Sequence, residues 1–456
     1  MLTYNRRRRL FPYFLVLAIG SSSAVGSLGL AGISDFRIED GTLDATADAG
    51  SDTPRPPDSA PSDSGIDAND ANLADAPGDA PIDAARDAPV ASPGLSVAAL
   101  PGTGVGVGKT VSVTMTCRND TGDPVPRVGA RVTFTATGGT SAVTFGPVVD
   151  LGDGRYRADV TGVTEGTKLA VSAILDGAPL RTPPAILRVA NPTTTGLTFS
   201  LDAANADGAG NFGGKGCPAA GRPVWTDLSA SALPGTLTGF ASPCGALSGW
   251  SGTGTPEDPA RLTFDGVDDH VSFGAQNSLA KFTLVVWARK TGAGTVGNSG
   301  TGGLVDVFPI LTKGTAEAEN PLLDINYYLA IDDNNHIASD YEHAGTSTNA
   351  PLVGTGVLRD DTWHMLATTF DVTAGTRGNW VNGASDGVLA PVAAAALGPS
   401  SLLVLGGANR TTGAAVGRFK GDVAVVLTYD RALTAQELST TCHAYSARFG
   451  VLACPN

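Results

Sequence analysis

The chain has 456 residues, which is enough for two or three domains with cores of their own. Its formal net charge is −14, but the acidity is concentrated, because the twelve aspartates between Asp40 and Asp87 are balanced in that stretch only by Arg55 and Arg86. The rest of the chain is close to neutral and has no basic stripe that could neutralise phosphates, which argues against nucleic-acid binding.

Residues 1–32 have the pattern of an export signal. Arg6–Arg9 form a positive segment, Leu10–Gly20 an apolar one, and Ala24-Val-Gly26 a small-residue cleavage site. An apolar run of this length is too short to span a hydrocarbon layer of about 30 Å. A weaker apolar run to Ala31 keeps an uncleaved N-terminal anchor open as the alternative, and membrane contact is expected only there. The predicted location is secreted or cell surface.

Residues 33–93 consist largely of Asp-Ala, Asp-Ala-Pro and Ser units. Such a segment buries too little apolar area to offset its chain entropy, and its like charges repel one another. It is predicted to be a disordered linker that holds the following domains away from a membrane or wall. The alternative is a solubilising tail.

Residues 94–190 alternate apolar and polar side chains with a period of two, in short runs separated by turn-rich segments. Four or more short strands at this spacing predict a β-sandwich. The segment resembles the bacterial immunoglobulin-like modules of invasin-type surface proteins. The pieces that carry the resemblance are Gly108-Lys-Thr-Val-Ser-Val-Thr114, Asn119-Asp-Thr-Gly-Asp-Pro-Val-Pro126 and Asp153-Gly-Arg-Tyr-Arg-Ala158. The resemblance implies a spacer or adhesive stalk.

Residues 195–456 carry three segments in a telling order: Arg261-Leu-Thr-Phe-Asp-Gly-Val-Asp-Asp-His-Val-Ser-Phe273, Asp361-Thr-Trp-His-Met-Leu-Ala-Thr-Thr-Phe-Asp371 and Gly417-Arg-Phe-Lys-Gly-Asp-Val-Ala-Val-Val-Leu-Thr-Tyr-Asp-Arg-Ala-Leu433. Together they resemble the laminin-G-like, or concanavalin-A-like, jelly roll of many bacterial surface proteins. The fold class expected for the whole chain is therefore all-β, an immunoglobulin-like sandwich followed by a jelly roll. The resemblance implies a domain that binds ligands more often than it cleaves them.

Two acidic turns are candidate calcium sites. Asp265, Asp268 and Asp269 crowd one turn, and Asp332 and Asp333 lie in another. Hard cations prefer several oxygen ligands, which neighbouring carboxylates on loops supply. The laminin-G-like resemblance also implies calcium, since many such domains bind it at their rim. The alternative is that these aspartates are simply good turn residues.

Two aromatic residues are candidates for a glycan-binding platform. Trp250 lies in a Gly/Ser-rich loop, and Tyr341 follows the second acidic turn, so both are expected to be exposed. Trp225, Trp287 and Trp363 sit in strand patterns and are expected in the core. The alternative for the two candidates is local packing within their loops.

Five cysteines in an exported chain suggest disulfides. Cys217 and Cys244 flank one loop, and Cys442 and Cys454 flank the last helix, so each pair is predicted to form a local disulfide. Cys117 is left over in a strand pattern and is predicted to be a buried thiol.

A helix is predicted after Thr434-Ala-Gln-Glu437, which has the sequence of a capping box. Gly450 is suited to end it. The expected buried face consists of Leu438, Cys442, Tyr445 and Phe449.

Two motifs resemble catalytic or nucleotide-binding signatures but stand in the wrong context. Gly104-Val-Gly-Val-Gly-Lys-Thr110 is followed by a strand pattern rather than a helix, which argues against nucleotide binding. Gly383-Ala-Ser-Asp-Gly387 reads as a hairpin between strands rather than a nucleophile elbow. Jelly-roll glycosidases need two carboxylates that converge on a sugar bond, and the Glu-x-Asp-x-x-Glu strand pattern of one such group is absent from this sequence.

The sequence therefore predicts an exported, non-enzymatic recognition protein that binds a glycan or an extracellular protein through its C-terminal domain. The alternatives are a polysaccharide-acting hydrolase and a purely structural stalk or envelope protein.

Overall fold

A small β-sandwich is followed by a larger domain of two packed sheets. The structure, a computed structural model, describes residues 90–126, 129–210, 224–241, 247–410, 415–451 and 454–455. All of these belong to one compact unit, Pro81–Asn456. The predicted signal and nearly all of the predicted linker lie outside the described residues. Within those ranges, no helix combines the length and apolar character needed to cross a bilayer.

In the part of the sandwich that the structure describes, ten short strands form two sheets. In chain order they are β1 (Val97–Ala99), β2 (Gly104–Val105), β3 (Thr110–Thr116), β4 (Val132–Thr137), β5 (Ala142–Phe145), β6 (Val149–Asp150), β7 (Arg155–Thr164), β8 (Leu169–Leu175), β9 (Ala178–Pro179) and β10 (Ala185–Val189). One sheet has the order β1-β3-β7-β5, with β6 beside β7, and the other the order β2-β10-β8-β4, with β9 beside β8.

The predicted alternation sets which side chains enter the sandwich core. Along β3, Val111, Val113 and Met115 are buried while the residues between them are partly exposed. This is the period-two pattern of a strand with one face packed. Cys117, just past β3, is fully buried in the same core, as predicted.

Among its described residues, the larger domain contains twenty-one strands, one 3₁₀ turn (Ala203–Asn205) and one α-helix, α1 (Ala435–Ser446). Its strands are β11 (Leu197–Asp202), β12 (Val224–Thr226), β13 (Pro234–Thr238), β14 (Gly249–Ser251), β15 (Arg261–Asp265), β16 (His270–Ser272), β17 (Phe282–Lys290), β18 (Val307–Lys313), β19 (Thr315–Ala316), β20 (Tyr327–Asp332), β21 (His336–Asp340), β22 (Glu342–His343), β23 (Thr348–Asn349), β24 (Leu352–Val357), β25 (His364–Asp371), β26 (Thr376–Val381), β27 (Ala384–Leu389), β28 (Leu403–Leu405), β29 (Gly407–Arg410), β30 (Ala415–Arg418) and β31 (Lys420–Tyr429).

Two sheets, each with eight strands among the described residues, form the jelly roll. Sheet I has the order β14-β15-β31-β17-β25-β26-β27, with β11 also paired to β31. Sheet II has the order β12-β13-β16-β28-β18-β20-β21-β24. Two smaller ribbons, β19-β29-β30 and β22-β23, complete the domain. The all-β class predicted from the sequence, a sandwich followed by a jelly roll, is confirmed.

Sheet I is buried on both faces along much of its length. On β17, Leu284 and Val286 enter the core between the sheets, while Val285 and Trp287 point to the outer face. That outer face is covered by α1 and the segment after it, where Phe449 stacks on Trp287 at 4.6 Å. The predicted capping box is present at the start of α1, formed by Thr434 and Glu437.

The end of α1 also contacts the sandwich. The backbone N–H of Thr103 donates to Ser446 Oγ at 3.2 Å, and Thr103 Oγ1 lies 3.1 Å from His443 Nδ1. Ala447 is packed into the sandwich core. A Cβ on Gly104 would overlap the His443 carbonyl oxygen, so only glycine allows this approach of the two backbones. The glycine run that resembles a phosphate-binding loop thus serves as a docking surface for the helix.

Candidate functional site

The acidic turn between β15 and β16 brings three carboxylates together. One oxygen from each of Asp265, Asp268 and Asp269 lies within 4.8 Å of the others, the one such acidic cluster found among the described residues. The turn needs Gly266, whose φ is +81° and where a Cβ would press on Lys420 and Gly294. Side chains at the start and end of one tight turn are thereby directed to one point.

Part of this cluster maintains the turn itself. Asp269 Oδ2 accepts a hydrogen bond from the Asp265 N–H at 2.9 Å, and Asp265 Oδ1 accepts one from the Val267 N–H at 2.8 Å. Asp265 and Asp269 therefore stabilise the turn, which was the alternative to calcium binding. It leaves other carboxylate oxygens uncommitted.

Asp269 carries the strongest sign of a missing partner. Its side chain is fully buried, and its Oδ1 has no hydrogen-bond partner among the described residues. Burial raises the pKa of this carboxyl to about 6, and the charges of Asp265 and Asp268 raise it a little further. The hydrogen bond from the Asp265 N–H and the nearby Ser248 side chain act in the opposite direction. A buried carboxylate is costly unless paired or bound to a cation.

Arg418 is a resident cation near the cluster. Its side chain is buried, Nη1 donates to the Gly417 carbonyl at 3.0 Å, and Nε has no partner among the described residues. Burial lowers the pKa of the guanidinium, and the charges of Asp268, Asp265 and Asp269 act in the opposite direction. The acidic turn is therefore partly compensated within the fold.

The second acidic turn is arranged differently. Asp332 Oδ1 accepts hydrogen bonds from the backbone N–H groups of His336 and Asn334, and its Oδ2 lies 3.1 Å from His336 Nδ1. Asp333 is exposed. Asp332 and Asp333 do not belong to the acidic cluster described above, so of these two turns only the first brings three carboxylates together among the described residues.

A polar groove opens beside the first acidic turn, on the outer face of sheet I. Its volume is about 210 Å³. The lining residues come from β15, β17, β31 and neighbouring loops: Leu247, Arg261, Thr263, Phe264, Asp265, Arg289, Thr291, Lys420 and Asp422. Sequence reasoning missed this groove. The polar side chains at every second position of Arg261-Leu-Thr-Phe-Asp265 and Lys420-Gly-Asp422 could have predicted a polar face on these strands.

Asp422 organises the groove. It is almost fully buried, and its Oδ2 accepts from Arg289 at 2.7 Å (Nη2) and 2.8 Å (Nε). Its Oδ1 accepts from Thr263 Oγ1 at 2.6 Å and lies 3.4 Å from Arg261 Nε. Asp422 thus holds Arg289 through two N–H groups on one oxygen, whereas Arg261, whose Nε makes no hydrogen bond among the described residues, is held mainly by the Asp258 carboxylate and the Pro259 carbonyl. The groove presents preorganised donors beside the acceptor Asp265.

The predicted aromatic platform is wrong. Trp250 is 7% exposed and packs edge-on against Trp225 at 5.0 Å, because β14 pairs with β15 and turns the indole into the core. Tyr341 is 2% exposed and lies between Phe370, at 4.7 Å, and the guanidinium of Arg377, at 5.2 Å. Among the described residues, no aromatic side chain stands among the exposed apolar ones.

One predicted disulfide is confirmed. Cys442 and Cys454 are joined, with their Cα atoms 5.7 Å apart. The other predicted pair, Cys217 and Cys244, lies outside the described residues.

The two look-alike motifs lie where the sequence placed them. Gly104-Val-Gly-Val-Gly-Lys-Thr110 leads into β3. Ser385 lies in β27, paired with Trp380 of β26 across a turn at Asn382 and Gly383. The hairpin prediction for Gly383–Gly387 is confirmed.

Comparison with known families bears on the C-terminal domain. Residues 265–439 match the sequence profile of a laminin-G family described as the concanavalin A-like lectin/glucanases superfamily. The match supports the laminin-G-like interpretation of this domain. No finding bears on the invasin-type interpretation of the sandwich, which stays a prediction. Among curated proteins, none matches this sequence.

Solved structures resemble parts of the chain at low identity. A Ruminococcus gnavus IT-sialidase CBM40 bound to α2,3-sialyllactose is 16% identical, with a TM-score of 0.29, over 35% of this chain and 82% of its own. Domain 4 of AbnA, a GH43 extracellular arabinanase of Geobacillus stearothermophilus in complex with arabinotriose, is 17% identical, with a TM-score of 0.35, over 54% and 98%. The binding domain of Paraclostridial Mosquitocidal Protein 1 is 11% identical, with a TM-score of 0.36, over 55% and 52%.

Proposed function

We propose that this chain is an exported recognition protein without catalytic activity, and that its jelly roll binds a glycan in the polar groove of sheet I. The observation that carries the proposal is the polar groove itself, in which Asp422 fixes Arg289 and which Arg261, Lys420 and Asp265 also line. Export rests on the signal pattern of residues 1–32.

The groove suits a sugar better than a protein surface. Its volume of about 210 Å³ is below the 300–1,000 Å³ typical of drug-sized ligand pockets, and so suits a single sugar ring. Lys420 can donate to a sugar hydroxyl and Asp265 can accept from one. The exposed Leu247 adds an apolar edge. Because no described aromatic side chain is among the exposed apolar ones, recognition would rest on hydrogen bonds rather than on ring stacking.

Calcium at the acidic turn is the second part of the proposal. The orphaned, buried Asp269 Oδ1 fits a hard cation, since it is an uncommitted oxygen beside two further carboxylates. Asp265, Asp268 and Asp269 would hold the ion. Its positive charge would compensate the carboxylates and stiffen the turn at the mouth of the groove, to which Asp265 also belongs.

The groove is tested by binding measurements on the full chain. A panel of neutral and acidic oligosaccharides on an array selects the ligand, and calorimetric titration then compares variants. Lys420→Met and Arg289→Met should each lose at least tenfold in affinity. Lys281→Met, just before the opposite end of β17, is the matched control and should bind as the wild type does. Undiminished binding by both groove variants would refute the groove assignment.

The same titrations separate the rival functions. Turnover of a polysaccharide that is abolished by changing one acidic residue would replace the proposal with a hydrolase. Saturable binding to an extracellular protein but to no oligosaccharide would make the ligand a protein. The absence of saturable binding on glycan and protein arrays would leave the stalk function.

The calcium proposal is tested by thermal melting in calcium and in chelator. A ligand that binds only the folded state raises stability by about 2.7 kcal/mol at a hundredfold excess over its Kd. Wild type should show such a shift, and Asp268→Asn and Asp269→Asn should lose it. Asp333→Asn, in the other acidic turn, is the control and should keep it. Identical wild-type melts in calcium and in chelator would end the proposal.

A further inference from the structure

A pocket separate from the polar groove lies at the junction of the sandwich, the jelly roll and helix α1. Its volume is about 250 Å³. The wall is formed by the glycine run before β3 and the start of that strand, by Asp202, Ala204, Gly254 and Pro256 of the jelly roll, and by the end of α1. The pocket and the groove share no lining residue. Cavities at domain interfaces are common ligand sites, and this one has room for a single sugar ring.

A partly exposed ion pair forms one side of this junction pocket. Arg448 Nη1 donates to Asp202 Oδ1 at 2.6 Å, and the two side chains are 20% and 25% exposed. The Ala204 N–H donates to the same oxygen at 2.8 Å. All hydrogen bonds of the carboxylate among the described residues therefore fall on Oδ1. They hold the group in place, and Oδ2 can accept from a ligand.

Tyr445 brings to the same pocket a hydroxyl that has no protein partner. Its ring packs against Trp287, with 6.1 Å between the ring centres, and its hydroxyl makes no hydrogen bond among the described residues. Burial raises the pKa of the hydroxyl, as does the charge of Asp202, while the charge of Arg448 acts in the opposite direction. The group therefore stays protonated and can both donate and accept. A desolvated hydroxyl without a partner costs free energy, which a ligand hydroxyl would recover.

The charges of the pocket favour an uncharged ligand. The open oxygen of Asp202 disfavours a carboxylate or sulfate, and Arg448 disfavours a cation. Lys109 also lines the pocket, but it is exposed, so water and salt screen its charge. Sugar hydroxyls both donate and accept, and so can pair with Asp202 and Tyr445 together. Apolar atoms for the C–H groups of a sugar ring come from Val105, Val111, Pro256 and Ala447.

We propose that the junction pocket binds a neutral sugar unit, with one ring hydroxyl donating to Asp202 Oδ2 and another bonded to the Tyr445 hydroxyl. The proposal deepens the function given above and rests on it, because it adds a second sugar subsite to a protein that binds glycans. Since both domains and α1 form the wall, the bound sugar would contact all three.

The test measures the binding of neutral methyl glycosides to the full chain. Saturation-transfer NMR with the methyl glycosides of glucose, galactose, mannose and N-acetylglucosamine selects a probe, and calorimetric titration then compares variants. Tyr445→Phe removes only the unpartnered hydroxyl and keeps the ring beside Trp287, so it should weaken binding at least fivefold. Tyr328→Phe is the matched control and should bind as wild type does. Tyr328 also has a buried hydroxyl without a partner among the described residues, but it does not line the pocket.

A second variant fills the pocket without removing a polar group. Ala444 lines it from α1, and leucine is a good helix former. Ala444→Leu should abolish saturable binding, because the longer side chain takes the space of the ring. Unchanged affinity in both Tyr445→Phe and Ala444→Leu, or no saturable binding of any of the four glycosides to wild type, would overturn the proposal.

The groove variant Lys420→Met separates the two sites. Binding that falls in Tyr445→Phe and is unchanged in Lys420→Met supports the junction pocket, even where the groove fails its own test. Binding that falls only in Lys420→Met belongs to the groove and contradicts the pocket. The methyl glycoside of glucuronic acid should bind no more tightly than that of glucose. Tighter binding of the acidic sugar that Tyr445→Phe weakens would contradict a neutral ligand.

Discussion

His443 is a buried side chain whose two hydrogen bonds require one protonation state of its imidazole ring. It is fully buried, its Nε2 lies 2.9 Å from the Pro455 carbonyl, and its Nδ1 lies 3.1 Å from Thr103 Oγ1. Because a carbonyl only accepts, Nε2 carries the hydrogen and Nδ1 accepts from the threonine hydroxyl. Burial lowers the pKa of His443 to about 4, aided by Lys168 and Arg188 and opposed by the Pro455 carbonyl.

Acid should therefore weaken the junction through this residue. The folded state binds fewer protons than the unfolded state, so the contribution of His443 is complete above about pH 6.5 and is lost as the pH falls toward 4. At about 1.4 kcal/mol per pKa unit, the loss is on the order of 3 kcal/mol at most. Urea unfolding from pH 4 to 7 should show a shallower decline for His443→Gln than for wild type. Parallel curves would contradict the assignment.

Asp269 should behave in the opposite sense. Its pKa is raised to about 6, so its charged form destabilises the fold and stability falls as the pH rises from about 4 to 6. In chelator at pH 8, Asp269→Asn should therefore gain about 1–3 kcal/mol. The amide oxygen can still accept from the Asp265 N–H, and the new amide group faces the neighbouring carboxylates. Asp333→Asn should change little, and a less stable Asp269→Asn would count against this explanation.

At the scale of elements, α1 is stabilised at its start by a capping box and packs against both domains. Its capping box is reinforced by Arg431, which holds Glu437 at 2.6 and 3.0 Å and lowers the pKa of that carboxyl to about 2. One face covers Trp287 of sheet I, and its last turn enters the sandwich. A helix with two packed faces leaves little room for substitution on the strands that it meets.

Gly104 in β2 lies so close to the backbone of α1 that no larger side chain fits there. Gly104→Ala should separate the sandwich from α1, because its methyl group would occupy the place of the His443 carbonyl oxygen. Overpacking of this kind costs about 1–3 kcal/mol or more. Differential scanning calorimetry should show one unfolding transition for wild type and two for the variant. Gly94→Ala, where the closest atom is 3.4 Å away, is the control and should melt as wild type does.

Across the whole molecule, the Cys442–Cys454 disulfide holds the tail that supports this junction. Pro455 accepts hydrogen bonds from Ser439 Oγ at 2.8 Å and from His443. A disulfide with a sequence separation of 12 contributes about 3 kcal/mol in the chain-entropy model. Cys454→Ser should lose about that much by urea unfolding and should release the tail to proteases. A reduced wild type that is as stable as the oxidised form would contradict this role.

The sequence predicted those features that depend on near neighbours. The Asp265–Asp269 turn, the Thr434–Glu437 capping box and the Cys442–Cys454 pair each lie within a dozen or so residues. Trp250 and Tyr341 were misplaced because they were assigned to loops, whereas Trp250 lies in a short strand paired with β15 and Tyr341 packs on Phe370, a residue distant in the sequence.

The groove and the junction depend on contacts between residues that are far apart in the sequence. Asp422 meets Thr263 only because β15 pairs with β31, and Thr103 meets His443 across 340 positions. Periodicity along a single segment carries no information about such partners.

The docked junction has a consequence for binding strength. The sandwich and the jelly roll that carries the polar groove are joined by α1 contacts as well as by the chain, so the spacing of the two domains cannot stretch to suit a ligand. For a polymer that engages the groove and also touches the sandwich, the second contact is intramolecular, and its effective concentration depends on whether the repeat of the polymer matches that spacing. A matching polymer would gain avidity and a mismatched one none, so the fold itself would select ligands by their periodicity.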